Sequence, residues 1–231
     1  MPSDDLTGTR LAILGGTGQQ GRGLACRLAA AGLAVTLGSR DPDRAAAAAV
    51  EVQDIARRLA GSDLSRPVTG GANADVVPDA DVVVVSVPWA AHGDTLRELE
   101  PALRDLIVVD TVNPLGFDGR GPYALGVAEG SAAEQAAALL PRCRVVAAFQ
   151  HVSAVLLLDP QLPTIETDVL VLGDDRAAAD LVIALAGLVP GMRGIFAGRL
   201  RNAGQVEGLT ANLIAINRRY KAHAGIRVTD V

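Results

Sequence analysis

The sequence predicts an α/β fold, a doubly wound parallel sheet with a small α+β domain at its C-terminal end. Three observations carry that expectation. The apolar run Leu11-Ala12-Ile13-Leu14 leads through a glycine-dense turn into apolar residues at helical spacing, Leu24, Ala25, Leu28 and Ala29. Strand-like runs and helical segments then alternate as far as Phe149, the pattern that βαβ units produce. The stretch Asp81–Val87 is dominated by valine, as a strand buried on both faces requires.

The first turn is the most informative. Gly16-x-Gly18-x-x-Gly21 stands between strand and helix, the setting in which that spacing marks a dinucleotide site of Rossmann type. Gly16 is expected to allow the tight turn, Gly18 to admit a pyrophosphate close to the backbone, and Gly21 to let helix and strand pack. The helix start offers unpaired N–H groups and a partial positive charge to the phosphates.

Ala31-Gly32 ends the first helix, and Ala34–Leu37 reads as the second strand. An NAD site usually places Asp or Glu here, about 20 residues past the glycines, to hold the ribose 2′-hydroxyl. This chain has Ser39 and Arg40, with Arg44 a turn later. A carboxylate would repel a 2′-phosphate, whereas a hydroxyl and a guanidinium fork bind it, so the expected cofactor is NADP. Asp41-Pro42 starts a helix as N-cap and first turn, and Ala45–Ala60 continues it to Gly61. Arg66–Thr69 reads as a strand broken by Gly70-Gly71, and residues 73–78 as a short helical connection.

The valine strand ends in Ser86-Val87-Pro88-Trp89. In a doubly wound sheet it lies beside the first strand, across the switch point where ligands bind. Residues 86–92 are therefore expected to line the nicotinamide half. Trp89 reads equally as cleft wall or as packing over the sheet, and His92, on the next helix, as a cofactor contact or, in preference, an exposed or capping residue. Leu106–Asp110 is the next strand, followed by Thr111-Val112-Asn113-Pro114 at the same sheet edge. Asn113 suits either a hydrogen bond to ribose or carboxamide or a plain Asn-Pro turn. Leu115–Gly130 reads as a long loop. Ser131 caps a helix to Leu140, with Glu134 completing a capping box. Arg144–Phe149 is the last strand of the first domain, which spans residues 1–150. The second, residues 151–231, holds a strand at Asp168–Leu172, a helix to Gly187 and a long final helix, Leu200–Ala224.

Composition excludes several alternatives. The 231 residues suffice for one α/β domain and an appendage. The longest largely apolar run, Val82–Ala91, is too short to span a bilayer, so no membrane partner is expected. The opening residues, with Asp4 and Asp5, lack the basic and apolar regions of a secretory leader, which predicts a cytoplasmic protein. A net charge of −5 offers nucleic acid no basic field. Cys26 and Cys143 show no CxxC spacing and the three histidines no ligand spacing, so neither a metal site nor a disulfide is expected.

Beyond these patterns the chain resembles a known family, the NADPH-dependent reductases of coenzyme F420. The resemblance rests on Ile13-Leu14-Gly15-Gly16-Thr17-Gly18 with Gly21 and Gly23, on Gly38-Ser39-Arg40, on Val87-Pro88-Trp89 and on Ser131-Ala132-Ala133-Glu134. It continues through Gly173-Asp174-Asp175 and from Gly198-Arg199-Leu200 to Glu207-Gly208-Leu209-Thr210. It implies reversible hydride transfer between NADP(H) and F420, an 8-hydroxy-5-deazaflavin, in a cleft closed by the C-terminal domain, and it implies a homodimer. By analogy Thr17, Gly18, Gln19 and Gln20 hold the pyrophosphate. Ser39, Arg40 and Arg44 hold the 2′-phosphate, and Val87, Pro88 and the backbone near Ala148 lie by the nicotinamide. Family members tend to carry histidine where this chain has Gln150, beside His151; a neutral hydrogen-bonding group replaces it here.

No triad, paired carboxylates or metal cluster stands out, and hydride transfer between two rings requires no protein nucleophile. The acidic tail of the deazaflavin makes Arg193, Arg199, Arg201, Arg218 and Arg219 candidates at the cleft mouth. Two other functions stay open at this point. One is an NADP-dependent reductase of a small imine or carbonyl, with His151 or Tyr123 as proton donor. The other is a non-catalytic NADP-sensing module.

Overall fold

A computed structural model describes Leu6 and residues 8–231; Asp4 and Asp5 lie outside the described residues. The first strand β1 (Arg10–Leu14) is followed by α1 (Gln19–Ala30), β2 (Ala34–Ser39), α2 (Pro42–Ala60) and β3 (Thr69–Ala72). Then come α3 (Asn73–Val76), β4 (Val82–Val85), α4 (Trp89–Leu103) and β5 (Ile107–Asp110). A hairpin of β6 (Leu115–Asp118) and β7 (Gly121–Ala124) precedes α5 (Ala132–Leu139) and β8 (Arg144–Ala147). The chain ends with α6 (Ala154–Leu158), β9 (Thr167–Gly173), α7 (Arg176–Gly187), β10 (Met192–Gly198), a 3₁₀ turn and α8 (Ala203–Tyr220).

Eight strands form one sheet in the order β10-β9-β8-β5-β4-β1-β2-β3. All neighbours are parallel except β8 and β9. The order reverses beside β1, so β1 and β4 flank the switch point. Each central strand feeds two cores. Leu11, Ile13, Val82 and Val84 face one layer; Ala12, Leu14, Val83 and Val85 face the other. That alternation is why the valine run carries no polar face.

Several boundaries differ from the sequence reading for identifiable reasons. The strand expected at Arg66–Thr69 is instead Thr69–Ala72, and it includes Gly70-Gly71. A side chain at Gly70 would strike the backbone of Ala45 in α2, so this glycine permits helix–strand contact and does not end the strand. The loop expected at Leu115–Gly130 holds the β6–β7 hairpin, turned by Asp118, whose Oδ1 accepts from Arg120 N at 2.7 Å. The final helix starts at Ala203, after the 3₁₀ turn Leu200–Asn202, and stops where Lys221 takes φ 50°. β10 was not anticipated; its two glycines and mixed polarity hide a sheet-edge strand.

The boundary expected at residue 150 falls between β8 and α6, and the sheet continues across it through β9 and β10. Arg27 of α1 ties the two parts together. Its guanidinium, 3% exposed, donates to the carbonyls of Leu156, Leu157, Asp159 and Leu162 at 2.7–2.9 Å. Leu156 O and Asp159 O also accept long backbone bonds from Asp159 N and Leu162 N at 3.4 and 3.3 Å. Arg27→Met keeps the stem but removes all four guanidinium bonds and leaves the Leu157 and Leu162 carbonyls without that donor. We expect a loss of about 3 kcal/mol in denaturant unfolding; a loss under about 0.5 kcal/mol would show the staple to be idle.

No helix among the described residues is long and apolar enough to cross a membrane.

Candidate functional site

The carboxyl ends of β1, β2, β4, β5 and β8 open onto one cleft of about 790 Å³. One end begins at the turn after β1. Gly15, not Gly16, takes the positive φ, +70°, and a Cβ there would lie 2.6 Å from Ser86 O. Gly16 is constrained by packing instead, since its Cβ would lie 2.8 Å from Ile13 O and 3.0 Å from Leu37. Gly21 faces Gly16 Cα at 3.0 Å. Gly18 differs from all three: its nearest neighbour is Gly15 O at 3.4 Å, and its φ is −75°. No side chain caps α1 and no acid sits in its first turn, so its N–H groups face the cleft free.

At the tip of β2, Ser39, Arg40 and Arg44 line the cleft. Ser39 Oγ accepts from Asp41 N at 3.1 Å, which leaves its O–H to give. Asp41 also lines the cleft, but its Oδ1 receives the amides of Asp43 and Arg44 at 3.1 and 3.2 Å. The carboxylate is thus occupied as an N-cap. Arg40 and Arg44 are exposed and enter no ion pair among the described residues.

Val87, Pro88 and Trp89 line the opposite end with Ser86, Thr95, Thr111, Val112, Asn113 and Gln150. Gln150 is held on three sides. Its Nε2 donates to Asp110 O at 3.1 Å, and its carbonyl accepts from Asn113 Nδ2 at 2.7 Å and from Thr210 Oγ1 at 3.2 Å. Gln150 Oε1 is buried without a partner. Beside it, Phe149 takes φ +67° and its carbonyl accepts from Gln20 Nε2 at 3.0 Å. A non-glycine residue in the left-handed region stores about 1–2 kcal/mol, here at the cleft wall.

Of the residues expected from sequence, Thr17, Gly18, Gln19, Gln20, Ser39, Arg40, Arg44, Val87, Pro88 and Trp89 line the cleft. Gly16 and Gly21 are buried beneath the loop. Ala148 lies below the floor, fully buried, with its N–H donated to Asp110 O at 3.1 Å. His92, expected to be exposed or capping, is 0% exposed and bonded to Asp110 and Gln135. Among the candidate arginines, Arg193 is clamped on buried Asp168 at 2.6 and 2.8 Å and on the C-terminal tail. Arg199 lies 3.6 Å from Asp174, and none of the five lines the cleft. Tyr123 lines a separate groove against α8. His151 is buried, accepts from Leu170 N at 3.2 Å, and is pushed by burial to a pKa of about 4. Neither potential proton donor reaches the cleft. Sequence reasoning missed Asn73 and Thr95, both lining residues; Asn73 follows β3, whose position was misread.

At the start of α5, Glu207 of α8 receives the Ala132 and Ala133 amides at 2.9 and 3.2 Å. Burial pushes its pKa up to about 7, against the pull of those amides. A folded-state pKa above the unfolded one means that folding takes up a proton between the two. Glu207 therefore removes stability as pH rises from about 4.5 to about 7. Glu207→Gln is expected to flatten the fall of Tm across that interval; an unchanged slope would assign it to other groups.

The NADP oxidoreductase coenzyme F420-dependent family model matches residues 10–114. An F420-dependent NADP reductase of Methanothermobacter thermautotrophicus is 40% identical over 227 residues, covering 96% of this chain and 95% of the relative. That of Methanocaldococcus jannaschii is 35% identical over 225 residues, covering 96% and 99%. A crystal structure from Arthrobacter sp. FB24, provisionally assigned as an F420-dependent NADP-reductase, superposes with a TM-score of 0.78 at 28% identity, covering 96% of this chain and all of that one. With full-length likeness to these enzymes, the chain belongs to the family of F420-dependent NADP reductases.

Proposed function

We propose that this protein is an oxidoreductase that moves a hydride reversibly between NADP(H) and coenzyme F420. One observation carries the choice among the functions left open. The ionisable residues lining the cleft, Arg40, Asp41 and Arg44, all lie at its phosphate end. The nicotinamide end offers only hydroxyl, amide and apolar groups. Reduction of an imine or carbonyl puts charge on a single nitrogen or oxygen and asks for a proton donor beside it; a hydride received by a deazaflavin spreads its charge over the ring, and solvent can supply the one proton that balances it.

The residues present fit the two coenzymes. The free amides of α1 and the open space at Gly18 suit a pyrophosphate, and Arg40 with Ser39 suits the 2′-phosphate. Gln150 Oε1, a fixed acceptor without a partner, suits a ring or carboxamide N–H. The coenzymes, when bound, supply the hydride donor and acceptor carbons themselves. The chain's part is to orient both rings, hold them in contact and exclude water. Pro88 and Trp89 wall one side; Gln150, tied to α8 through Thr210, closes the other. On this reading residues 1–150 form the nucleotide-binding unit and residues 151–231 the part that closes the deazaflavin side. Exposed Phe117 and Tyr123 on the hairpin and Ile216 and Tyr220 on α8 support a homodimer through that face. Both cysteines are free, in keeping with a cytoplasmic location.

The purified protein mixed with NADPH and oxidised F420 tests the proposal. Deazaflavin colour should fade in step with NADPH oxidation. Binding of NADPH without turnover would favour a sensor, and turnover of an imine or carbonyl alone would favour the other reductase.

A further inference from the structure

The floor beside Gln150 conceals a hydrogen-bonded histidine–carboxyl pair. His92, in the first turn of α4, and Asp110, at the end of β5, are both fully buried. His92 Nε2 lies 2.7 Å from Asp110 Oδ2, and His92 Nδ1 lies 2.9 Å from Gln135 Oε1. The Gln135 amide has a defined orientation, because its Nε2 donates to Glu129 Oε2 at 3.3 Å. Gly93 admits that approach; a Cβ there would stand 3.3 Å from Gln135 Oε1. Both ring nitrogens therefore meet acceptors, while a neutral imidazole has one N–H to give. The doubly protonated ring satisfies both.

We propose that His92 is a buried imidazolium and a positioning residue for the coenzyme cleft, acting through the Asp110 carboxylate on the walls of the nicotinamide half. The positioning role rests on the cofactor reading above; the protonation state does not. Asp110 is the node of the arrangement. Its Oδ1 accepts from Val112 N at 2.9 Å, and its carbonyl accepts from Gln150 Nε2 at 3.1 Å. The Trp89 ring lies 5.5 Å from that of His92. One cation thus bears on Val112 through the carboxylate and on Trp89 directly, both cleft residues, without touching a coenzyme, while the Asp110 backbone fixes Gln150 beside them.

The titratable groups nearest the ring are carboxyls, Asp110 in direct contact and Glu207, itself raised to about 7, further off. Asp110 comes from β5, Glu207 from α8, and Glu129 acts through Gln135 of α5. On α4 itself, Asp94 and Arg97 pair with each other at the surface. Burial pulls the His92 pKa down, but the bond and charge of Asp110, with Gln135 and Glu207, hold it above the usual histidine value. The stabilisation is complete below the unfolded pKa and is lost as pH climbs through the folded one. Asp110 then keeps its place with one cation fewer, and the walls it orders loosen.

Long-range proton–nitrogen NMR of the full chain with labelled histidine tests the protonation state directly. At about pH 7.5, a pH where free histidine is mostly neutral, both nitrogens of His92 should be protonated, the signal being identified by its absence in His92→Gln. A neutral single tautomer overturns the proposal. NADPH titration, which requires no F420, tests positioning. In the wild type the dissociation constant should rise over the same pH interval in which His92 loses its proton. In His92→Gln it should be raised about tenfold at neutral pH and be flat with pH. A folded variant with wild-type affinity and pH profile overturns the positioning role. Should His92→Gln fail to fold, Gln135→Leu removes one acceptor. It should lower the pH of His92 proton loss and of the affinity change together, and a change in one alone is contrary to the proposal. Absence of any NADPH binding would count against the cofactor reading and leave the NMR result standing by itself.

Discussion

Arg40→Ala is expected to weaken NADPH binding by roughly 30- to 100-fold, the worth of a charge-assisted guanidinium–phosphate contact, while NADH affinity stays within about twofold. Arg40 follows Ser39 directly at the end of β2, exposed and without an ion-pair partner among the described residues. Its charge is available to a ligand at no expense to the fold. The one carboxylate that lines the cleft, Asp41, is turned to the amides of α2, which offset part of its charge toward a 2′-phosphate. Arg44, a turn further on, shares the load, and Arg44→Ala should cost about fivefold. Fluorescence titration with both dinucleotides measures these values. Equal losses for NADPH and NADH would remove the phosphate from Arg40 and leave the arginine as a general surface cation.

The second large effect separates glycines that look alike in the sequence. Gly18→Ala should leave Tm unchanged and raise the NADPH dissociation constant by at least about tenfold. The added methyl has room within the protein, with nothing nearer than 3.4 Å, and φ −75° suits alanine. What it fills is the space that a pyrophosphate would occupy against the backbone. Gly16→Ala should do the reverse, because its Cβ would lie 2.8 Å from Ile13 O and 3.0 Å from Leu37. Forcing that contact is expected to destabilise the protein by about 1–3 kcal/mol, and binding would fail only as the fold does. Differential scanning calorimetry alongside titration distinguishes the two. A Gly18→Ala protein that binds NADPH normally would place the pyrophosphate elsewhere.

The sheet's centre was legible because its physics is local. Valines at 82–85 and the run Leu11–Leu14 state their burial outright, and the glycine turn between β1 and α1 states its own purpose. The edges were less so. Gly70-Gly71 reads as a break, yet it lies within a strand where Gly70 meets the backbone of Ala45; Gly194, in the unanticipated β10, meets that of Ile183 in the same way. That constraint is tertiary and leaves no local trace. That Ser39, Arg40 and Arg44 line one end of the cleft was readable, since they follow the tip of β2 directly. The opposite end was only partly so. His92 gave no hint of burial, because its partners Asp110 and Gln135 lie 18 and 43 residues away. Arg193 likewise looked free for an acidic ligand, whereas Asp168, also remote in sequence, claims it.

The central claim is direct passage of a hydride from nicotinamide to deazaflavin in a cleft that contributes no acid at the reacting carbon. Isotope transfer tests it most directly. NADPH carrying deuterium at the transferring position is incubated with the protein and oxidised F420 in ordinary water, and the reduced deazaflavin is analysed by mass spectrometry. The account predicts one deuterium retained in each reduced ring and none released to solvent. Reduced F420 without the label, or NADPH consumed with no reduced F420 formed, would contradict it.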